Sequence, residues 1–453
     1  MSSGSSQELQ PAEGQDCTEP GFAQTMANQA LSLERQGEFA LAEDCYRESL
    51  RSNPAIAQTW VNYGAFLFRR RRFREAENAY RRAIARAPAM ASAWSNLGVL
   101  LACLKREGEA EACHRHALHC QPDYGKARFN LSYLLLRQGR FEEGWHCFES
   151  RNWALMWPNA SRVPRWQGEP PFGRRVHVVA EAGYGDVIQF CRYVPLLKTA
   201  GAARVTLAAY PALKALLQTL EGVDAVTDME DPMTGAEPDC WVPLMSLPYL
   251  FKTRFDSIPD QLPYLRALPD QERFWRQQLS PDFFNVGLVW QGNPANENDA
   301  NRSLPGPSIL APLGEVPGVR FVGLQKDSQT SEALFVDDGS RWLDAGLRLQ
   351  DFSDTAALIT KLDLVISVDT AVAHLAGALG CRCWVLLPDY MTDWRWMAAG
   401  DHSPWYPRNM RLFRQPAPGD WTSVVKGVGA ALRDLAQQSS HVVEERQAAD
   451  DLE

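Results

Sequence analysis

One spacing constrains this chain more than any other feature. Pro54, Pro88 and Pro122 recur every 34 residues, and Ala30, Gly64, Gly98 and Ser132 recur in the same register. A fixed period of this length marks a stack of equal supersecondary units, each burying its neighbour's apolar face. Within each period the apolar residues fall at helical spacing, so each unit is a pair of helices with small residues where they approach and a proline ending the second. The second unit carries Trp60, Tyr63, Gly64, Leu67, Ala76, Tyr80, Ala83 and Pro88. The third carries Trp94, Leu97, Gly98, Leu101, Ala110, Ala117 and Pro122, with His114 at an aromatic place. The first unit (about 22–54) and the fourth (about 124–157) are degenerate, as the ends of a stack are expected to be.

These positions resemble the tetratricopeptide repeat, and the resemblance implies an α-solenoid over residues 21–157. The concave face of such an array suits an extended peptide, so a protein or peptide partner is expected; a short array can instead dimerise or brace the next domain. Arg69 to Arg74 holds five arginines in six positions at a helix-hairpin turn, either a solvated face or a partner contact. The aromatic tail of the fourth repeat, Trp145, Trp153 and Trp157 ahead of Pro158, is expected to pack on the next domain.

With 453 residues the chain has room for roughly three domains. Its net charge of −9 argues against nucleic acid as a partner. No run of 18 apolar residues can span a membrane. Residues 1–20 lack a basic start and an apolar core, so they read as a disordered leader and not a signal peptide, which places the protein in the cytoplasm. The ten cysteines are scattered; Cys381-x-Cys383 has no second pair to complete a tetrahedral site, so reduced thiols and no metal are expected.

From Arg174 the pattern changes to alternating strands and helices, the order of a parallel α/β sheet. Strands fall at 176–180, 204–208, 225–227 and 240–244, with helices at 187–198 and 211–220. Pro259 to Leu268 reads as a linker; strands at 286–290, 320–325, 364–367, 383–387 and 411–413 come after it, with helices at 271–279, 355–362, 371–379 and 421–437. The fold class is thus α plus α/β: a solenoid, a Rossmann-like lobe over 158–265, a second over 266–437, and a polar, disordered tail over 438–453.

Polar residues collect where such strands end. Ser367, Asp369 and Thr370 lie between a strand and a helix whose early face is poor in bulk (Ala371, Ala373, Ala376, Gly377), which lets a ligand or another backbone come close. Free N–H groups at that helix start favour a phosphorylated ligand. His374 on the same helix is a donor-site residue or a satisfied core histidine. In the first lobe Gly183-Tyr184-Gly185-Asp186 makes a tight turn into a helix, where Asp186 is an N-terminal cap or a base. In the second, Trp290-Gln291-Gly292-Asn293 and Asn301-Arg302-Ser303 lie beyond a strand. Arg302, with Lys326 after Gln325 as a second cation, could hold a departing diphosphate, since no Asp-x-Asp of the metal-dependent kind is present and Asp337-Asp338 reads as a turn; either could instead be a surface charge, the reading favoured for Lys326. Asp393-Trp394-Arg395-Trp396 and Asp401 to Pro407 could stack a base or sugar, or close the core.

Asp369-Thr370-Ala371-Val372-Ala373-His374-Leu375-Ala376 resembles the donor-site segment of bacterial heptosyltransferase-type glycosyltransferases, with Ala371 where that family has Gly. Residues 174–437 are similar to a bacterial group in which tetratricopeptide repeats precede such a domain, and the domain order resembles the protein O-linked N-acetylglucosamine transferases. The resemblance implies a two-lobed, GT-B type glycosyltransferase without metal or other cofactor, using a nucleotide-sugar as co-substrate. It implies Asp186 as general base beside Gly183 and Gly185, and a lysine in the loop where this chain has Arg302, which matches it in role as the clamp on the diphosphate; Asn293, Ser303, Gln325, Lys326, Asp369, Thr370, Ala371 and His374 are then expected on the donor side. It also implies inversion at the anomeric carbon, and a histidine in the loop where this chain has Asn296. The rival expectation is a non-catalytic scaffold with a degenerate transferase-like domain.

Overall fold

The computed structural model describes residues 20–151, 162–229, 237–326 and 341–450, with side chains from 21 to 438. By compactness the chain divides into Met1–Leu131 and Ser132–Glu453. Residues 1–19 of the expected leader, Trp153, Trp157, Pro158 and Asp337-Asp338 lie outside the described residues.

The first unit is a row of helix pairs: α1 (Pro20–Gln36) with α2 (Phe39–Ser52), α3 (Ala57–Arg69) with α4 (Phe73–Arg86), and α5 (Ala91–Cys103) with α6 (Glu107–Cys120). The fourth pair is α7 (Gly125–Arg137) and α8 (Phe141–Phe148), and the division falls inside α7. The period has a contact behind it. A Cβ on Gly64 would lie 2.6 Å from the Tyr80 ring, and one on Gly98 would lie 2.7 Å from the ring of His114. His114 therefore does what the aromatic does: it is buried, and desolvation pushes its pKa down to about 4. The proline-bearing turns are tied in register too. The Trp60 indole donates to the Pro54 carbonyl (2.9 Å), Trp94 to that of Pro88 (2.8 Å), and in the degenerate fourth repeat Arg128 donates to that of Pro122 (2.5 Å). In the arginine-rich turn Arg72 pairs with Glu43 (2.7 Å) and Glu75 (2.6 Å), and Arg69 pairs with Glu34.

Among the described residues the second unit holds two wholly parallel sheets. Along the chain come β1 (Arg175–Val179), α9 (Tyr184–Phe190), α10 (Val194–Thr199), β2 (Arg204–Ala209), α11 (Lys214–Leu217), β3 (Ala225–Asp228), β4 (Cys240–Pro243) and α12 (Leu247–Leu250). Next are α13 (Pro269–Arg276), β5 (Phe284–Val289), α14 (Asp299–Arg302), β6 (Val319–Gly323), β7 (Trp342–Asp344), α15 (Phe352–Ile359), β8 (Leu364–Val368), α16 (Ala371–Ala378), β9 (Cys383–Leu387), β10 (Met410–Arg414) and α17 (Trp421–Asp450). The sheets are ordered β3-β2-β1-β4 and β10-β9-β8-β5-β6-β7. The central strands β8 and β9 are buried throughout, as a parallel sheet covered on both faces requires.

Three expectations differ from the structure. The helix expected over 187–198 starts at Tyr184 and is broken by a 3₁₀ turn, Cys191–Tyr193, because Pro195 supplies no N–H to an unbroken ladder. Strand β7 is too short and too half-exposed to show a pattern. Helix α17 runs to Asp450 and not to 437, so 438–450 are helical; no proline or glycine stands there to stop it.

The last hairpin is part of this unit's core. Phe141 stacks on Trp405 (5.8 Å), and Trp145 meets Phe190 (6.1 Å), Trp394 (5.4 Å) and Trp405 (6.3 Å) edge-on. Trp145 thus packs on the following domain, as its place in an aromatic tail leads one to expect. Trp394, Trp396, Trp405 and Tyr406 are all fully buried, so the two late aromatic runs close the core. A buried ionic cluster adds to this: Arg151 pairs with Glu181 (2.8 Å) and Glu149 (2.7 Å), and Glu181 accepts from the Met245 N–H (2.9 Å).

Candidate functional site

Open parallel sheets bind ligands where the strand order reverses, beyond the carboxyl ends of the strands. In the first sheet that point lies between β1 and β4; in the second it lies between β5 and β8. The connection after β1 carries Gly183 and, in the first turn of α9, Gly185 and Asp186; that after β5 carries Gln291 to Ser303, including α14; and the turn after β8 carries Asp369 and Thr370. Helices α9 and α16, which start from two of these points, meet directly. A Cβ on Gly185 would lie 3.0 Å from His374 and 3.4 Å from the Cα of Ala371. The thin face of α16 therefore admits another backbone, and its later part, at Gly377, admits the Tyr406 ring.

Asp186 is the third residue of α9, and one carboxylate oxygen accepts from the Gly183 N–H (2.8 Å), closing the helix start. The other oxygen pairs with Arg395. Capping and a charged partner thus coexist on one side chain that is 23% exposed. Desolvation raises its pKa against the pull of Arg395 and of the Gly183 N–H.

Asp369 stands at the end of β8. Burial and the neighbouring Asp393 push its pKa up to about 6, while Arg302 pulls it down. Thr370 is the N-cap of α16 but its hydroxyl is within 3.0 Å of that of Ser367, so no side chain caps the helix start. His374 is buried, stacked on Trp396 (5.0 Å between centroids), with Nδ1 3.1 Å from the Tyr406 hydroxyl. Desolvation and the charges of Arg395, Arg192 and Arg302 hold its pKa well below the ordinary value, so the imidazole is neutral.

Gly292 leaves room for charge: a Cβ there would lie 2.4 Å from Asp299 and 2.7 Å from the Arg302 guanidinium. Arg302 Nε donates to Asp299 (3.2 Å), and the Gly292 N–H donates to Ser303 Oγ (2.9 Å). Asn293 accepts from the Ala295 N–H (3.0 Å), an Asx turn, and Asn296 accepts from the Asn298 N–H (3.0 Å). Gln325 accepts from the Gln291 N–H (3.1 Å), and Lys326 donates to the Gln350 carbonyl (3.0 Å). The structure brings Asp186, Asp369, His374 and Arg302 into one electrostatic neighbourhood. Lys326 is engaged by backbone and enters none of their interactions given above.

Sequence reasoning missed the hub of this site. Arg395 donates through Nε to Gln189 (2.7 Å), through Nη1 to both Asp393 oxygens (3.0 and 3.1 Å), and through Nη2 to Asp186, with its carbon 4.4 Å above the Trp394 ring. Nothing in the sequence joins residues 186 and 395. Tyr133 of α7 also feels the charges of Asp393, Arg395 and Asp186. A second omission had a signal: Asn28, Asn62, Asn96 and Asn130 stand one per repeat, 34 apart, at least partly exposed. Gln24 and Gln58 donate to the first two (3.1 and 2.8 Å).

Helix pairs in a period of 34 define the first unit as a helical repeat array. The family described as tetratricopeptide repeat matches residues 28–73 and 67–115, and the chain carries these repeats. Protein FlbA of Caulobacter vibrioides is 28% identical over 326 residues, covering 67% of this chain and 54% of FlbA. The chain thus spans about half the length of that curated relative. Among solved structures, the first tetratricopeptide domain of Spaghetti (RPAP3) bound to the HSP90 peptide SRMEEVD is 22% identical, covering 26% of this chain and 95% of that one, with a TM-score of 0.25. Pseudomonas aeruginosa PilF is 23% identical, covering 29% and 61%, with a TM-score of 0.27. No helix among the described residues is long and apolar enough to cross a membrane.

Proposed function

We propose that the second unit is a two-lobed, GT-B type glycosyltransferase that moves a sugar from a nucleotide-sugar to an acceptor hydroxyl, without a metal, and that the repeats recruit the protein bearing that acceptor. One observation carries the reading: the helices leaving the switch points of both sheets meet at Gly185 and Ala371, with Asp186 on one side and Asp369 on the other. Asp186, its pKa raised, takes the acceptor proton while the acceptor oxygen attacks the anomeric carbon. The bond from that carbon to the diphosphate breaks, and Arg302 and the uncapped N–H groups at the start of α16 hold the departing charge. Asn293, Ser303, Gln325, Asp369, Thr370 and His374 position the donor. Inversion is carried over from the heptosyltransferase resemblance. The one-per-repeat asparagines suit the recruiting role, since a primary amide can pair with a peptide main-chain amide as donor and acceptor together.

The test is thermal-shift and calorimetric titration of the full chain with UDP, GDP, ADP, CMP and TDP, with and without a divalent ion. Stabilisation by one of them, independent of the ion and lost in Asp369→Ala, is expected. With the cognate sugar nucleotide, Asp186→Ala should then cut transfer by about 10²–10⁴-fold without unfolding.

A second reading, a repeat scaffold that no longer turns over, is favoured by a specific observation: both oxygens of Asp186 are engaged, by the Gly183 N–H and by Arg395. Silence of the whole nucleotide panel would make this the better reading.

A further inference from the structure

Behind His374 lies a buried polar chain that the proposed chemistry has not used. Arg192 comes from the first lobe, Tyr264 from the linker, and Tyr406 from the loop before β10; all are buried. Arg192 Nη2 donates to the Tyr264 hydroxyl (3.2 Å), and Nη1 donates to the carbonyls of Trp405 (2.8 Å) and Pro259 (3.3 Å). The Tyr264 hydroxyl lies 3.0 Å from the Ile188 carbonyl and 3.4 Å from the Tyr406 hydroxyl, which is 3.1 Å from His374 Nδ1.

The proton inventory orders this chain. A carbonyl can only accept, so the single hydroxyl hydrogen of Tyr264 goes to Ile188. Tyr406 then has two possible acceptors. A bond to Tyr264 at 3.4 Å is outside the usual range for O–H···O and would aim a second donor at an oxygen already taking one from Arg192. A bond to His374 Nδ1 is shorter and turns a lone pair, not an N–H, toward the side from which Arg192 lies over the Tyr406 ring (4.8 Å).

We infer that Tyr406 is a positioning residue: its hydroxyl donates to Nδ1 of His374 and so holds the imidazole as the neutral Nε2–H tautomer, with that N–H on the ring edge that faces Gly185. The Cδ2 carbon, bonded to Nε2, is the atom that a Cβ on Gly185 would meet at 3.0 Å. On the donor-site reading above, on which this role rests, His374 then offers a hydrogen-bond donor to the leaving diphosphate without adding charge. Around the ring stand Tyr406, Arg395, Arg192 and Arg302.

Long-range ¹H–¹⁵N spectra of the histidine rings in the full chain, with His374 assigned by the loss of its signals in His374→Gln, test this directly. The expected pattern is a protonated Nε2 and an unprotonated Nδ1, unchanged from pH 5.5 to 8. In Tyr406→Phe the Nδ1 shift should move and the two tautomers should mix, with hydrogen exchange of β8 and β9 unaltered. A His374 that carries its proton on Nδ1, or that titrates near pH 6.5, overturns the inference. The functional arm is nucleoside-diphosphate affinity: about a 3–10-fold loss in Tyr406→Phe, and better retention in His374→Gln than in His374→Asn, because the longer amide reaches the Nε2 position. A panel with no binding nucleotide would sink the donor-site reading while the tautomer result still decides the inference.

Discussion

The repeat array and the α/β unit make similar contacts under opposite rules. In the array a contact comes in copies: Gly64 against Tyr80 and Gly98 against His114, or Trp60, Trp94 and Arg128 on three successive proline-turn carbonyls. In the α/β unit each contact is made once, between residues far apart in the chain, as in the pairing of Asp186 with Arg395. A repeated contact can lose one copy and leave its neighbours standing, because each repeat touches only the next. A unique contact has no substitute. The same chemistry, an arginine between two carboxylates, should therefore carry very different weight in the two places.

The strongest test of that contrast is Arg395→Met. It would leave Asp186 and Asp393 without the buried cation they share, and removing one partner of a buried pair costs about 3–5 kcal/mol. Hydrogen exchange in α9 and β9 should report the loss; a change below about 1 kcal/mol would put Arg395 with the surface arginines of the array.

Asp369→Asn should act in the opposite direction and only at high pH. A carboxyl whose folded pKa is raised from 3.8 to about 6 favours the folded state while protonated, and that advantage is lost as pH climbs through about 6. The amide should therefore stabilise the second unit at pH 8, by at most ~3 kcal/mol, and make little difference by pH 4. Urea titrations at the two pH values measure it, and equal effects at both would mean that Asp369 is not held protonated by its surroundings.

Within the array, Gly64→Ala puts a Cβ into the Tyr80 ring and should cost about 1–3 kcal/mol of overpacking, confined to α3 and α4. Spread of the exchange into α5 and α6 would show that the repeats are not independent. Smallest is Arg72→Met: its partners Glu43 and Glu75 remain partly solvated, so the change should be about 0–1 kcal/mol and should shrink in high salt.

The difference also sets what was legible beforehand. The order of strands and helices in the α/β unit comes from local pattern, and most observed strands lie within two residues of expectation. Short β7 and the broken helix after Asp186 do not, because a strand of three residues has no period and Pro195 interrupts one. At the site, local chemistry pointed to Asp186 and Asp369 because each sits at a strand-to-helix turn. Arg395 was visible only as one residue in an aromatic run, since Asp186 and Gln189, the partners that make it part of the site, lie 209 and 206 positions away.

The sequence by itself determined the array and the places where its paired helices approach, because a period of 34 writes the small and the large positions several times in the same register. It also determined that parallel sheets come after the array, since buried β-branched runs alternating with helices have few other solutions. Only the tertiary structure decided which charged side chains share one site. Burial and pairing are made by contacts between distant segments, and no local pattern encodes which arginine will find which aspartate. The last repeat hairpin shows the same division: its helices are written in the period, while the placing of Trp145 against Trp394 and Trp405 was settled by the core that they enclose together.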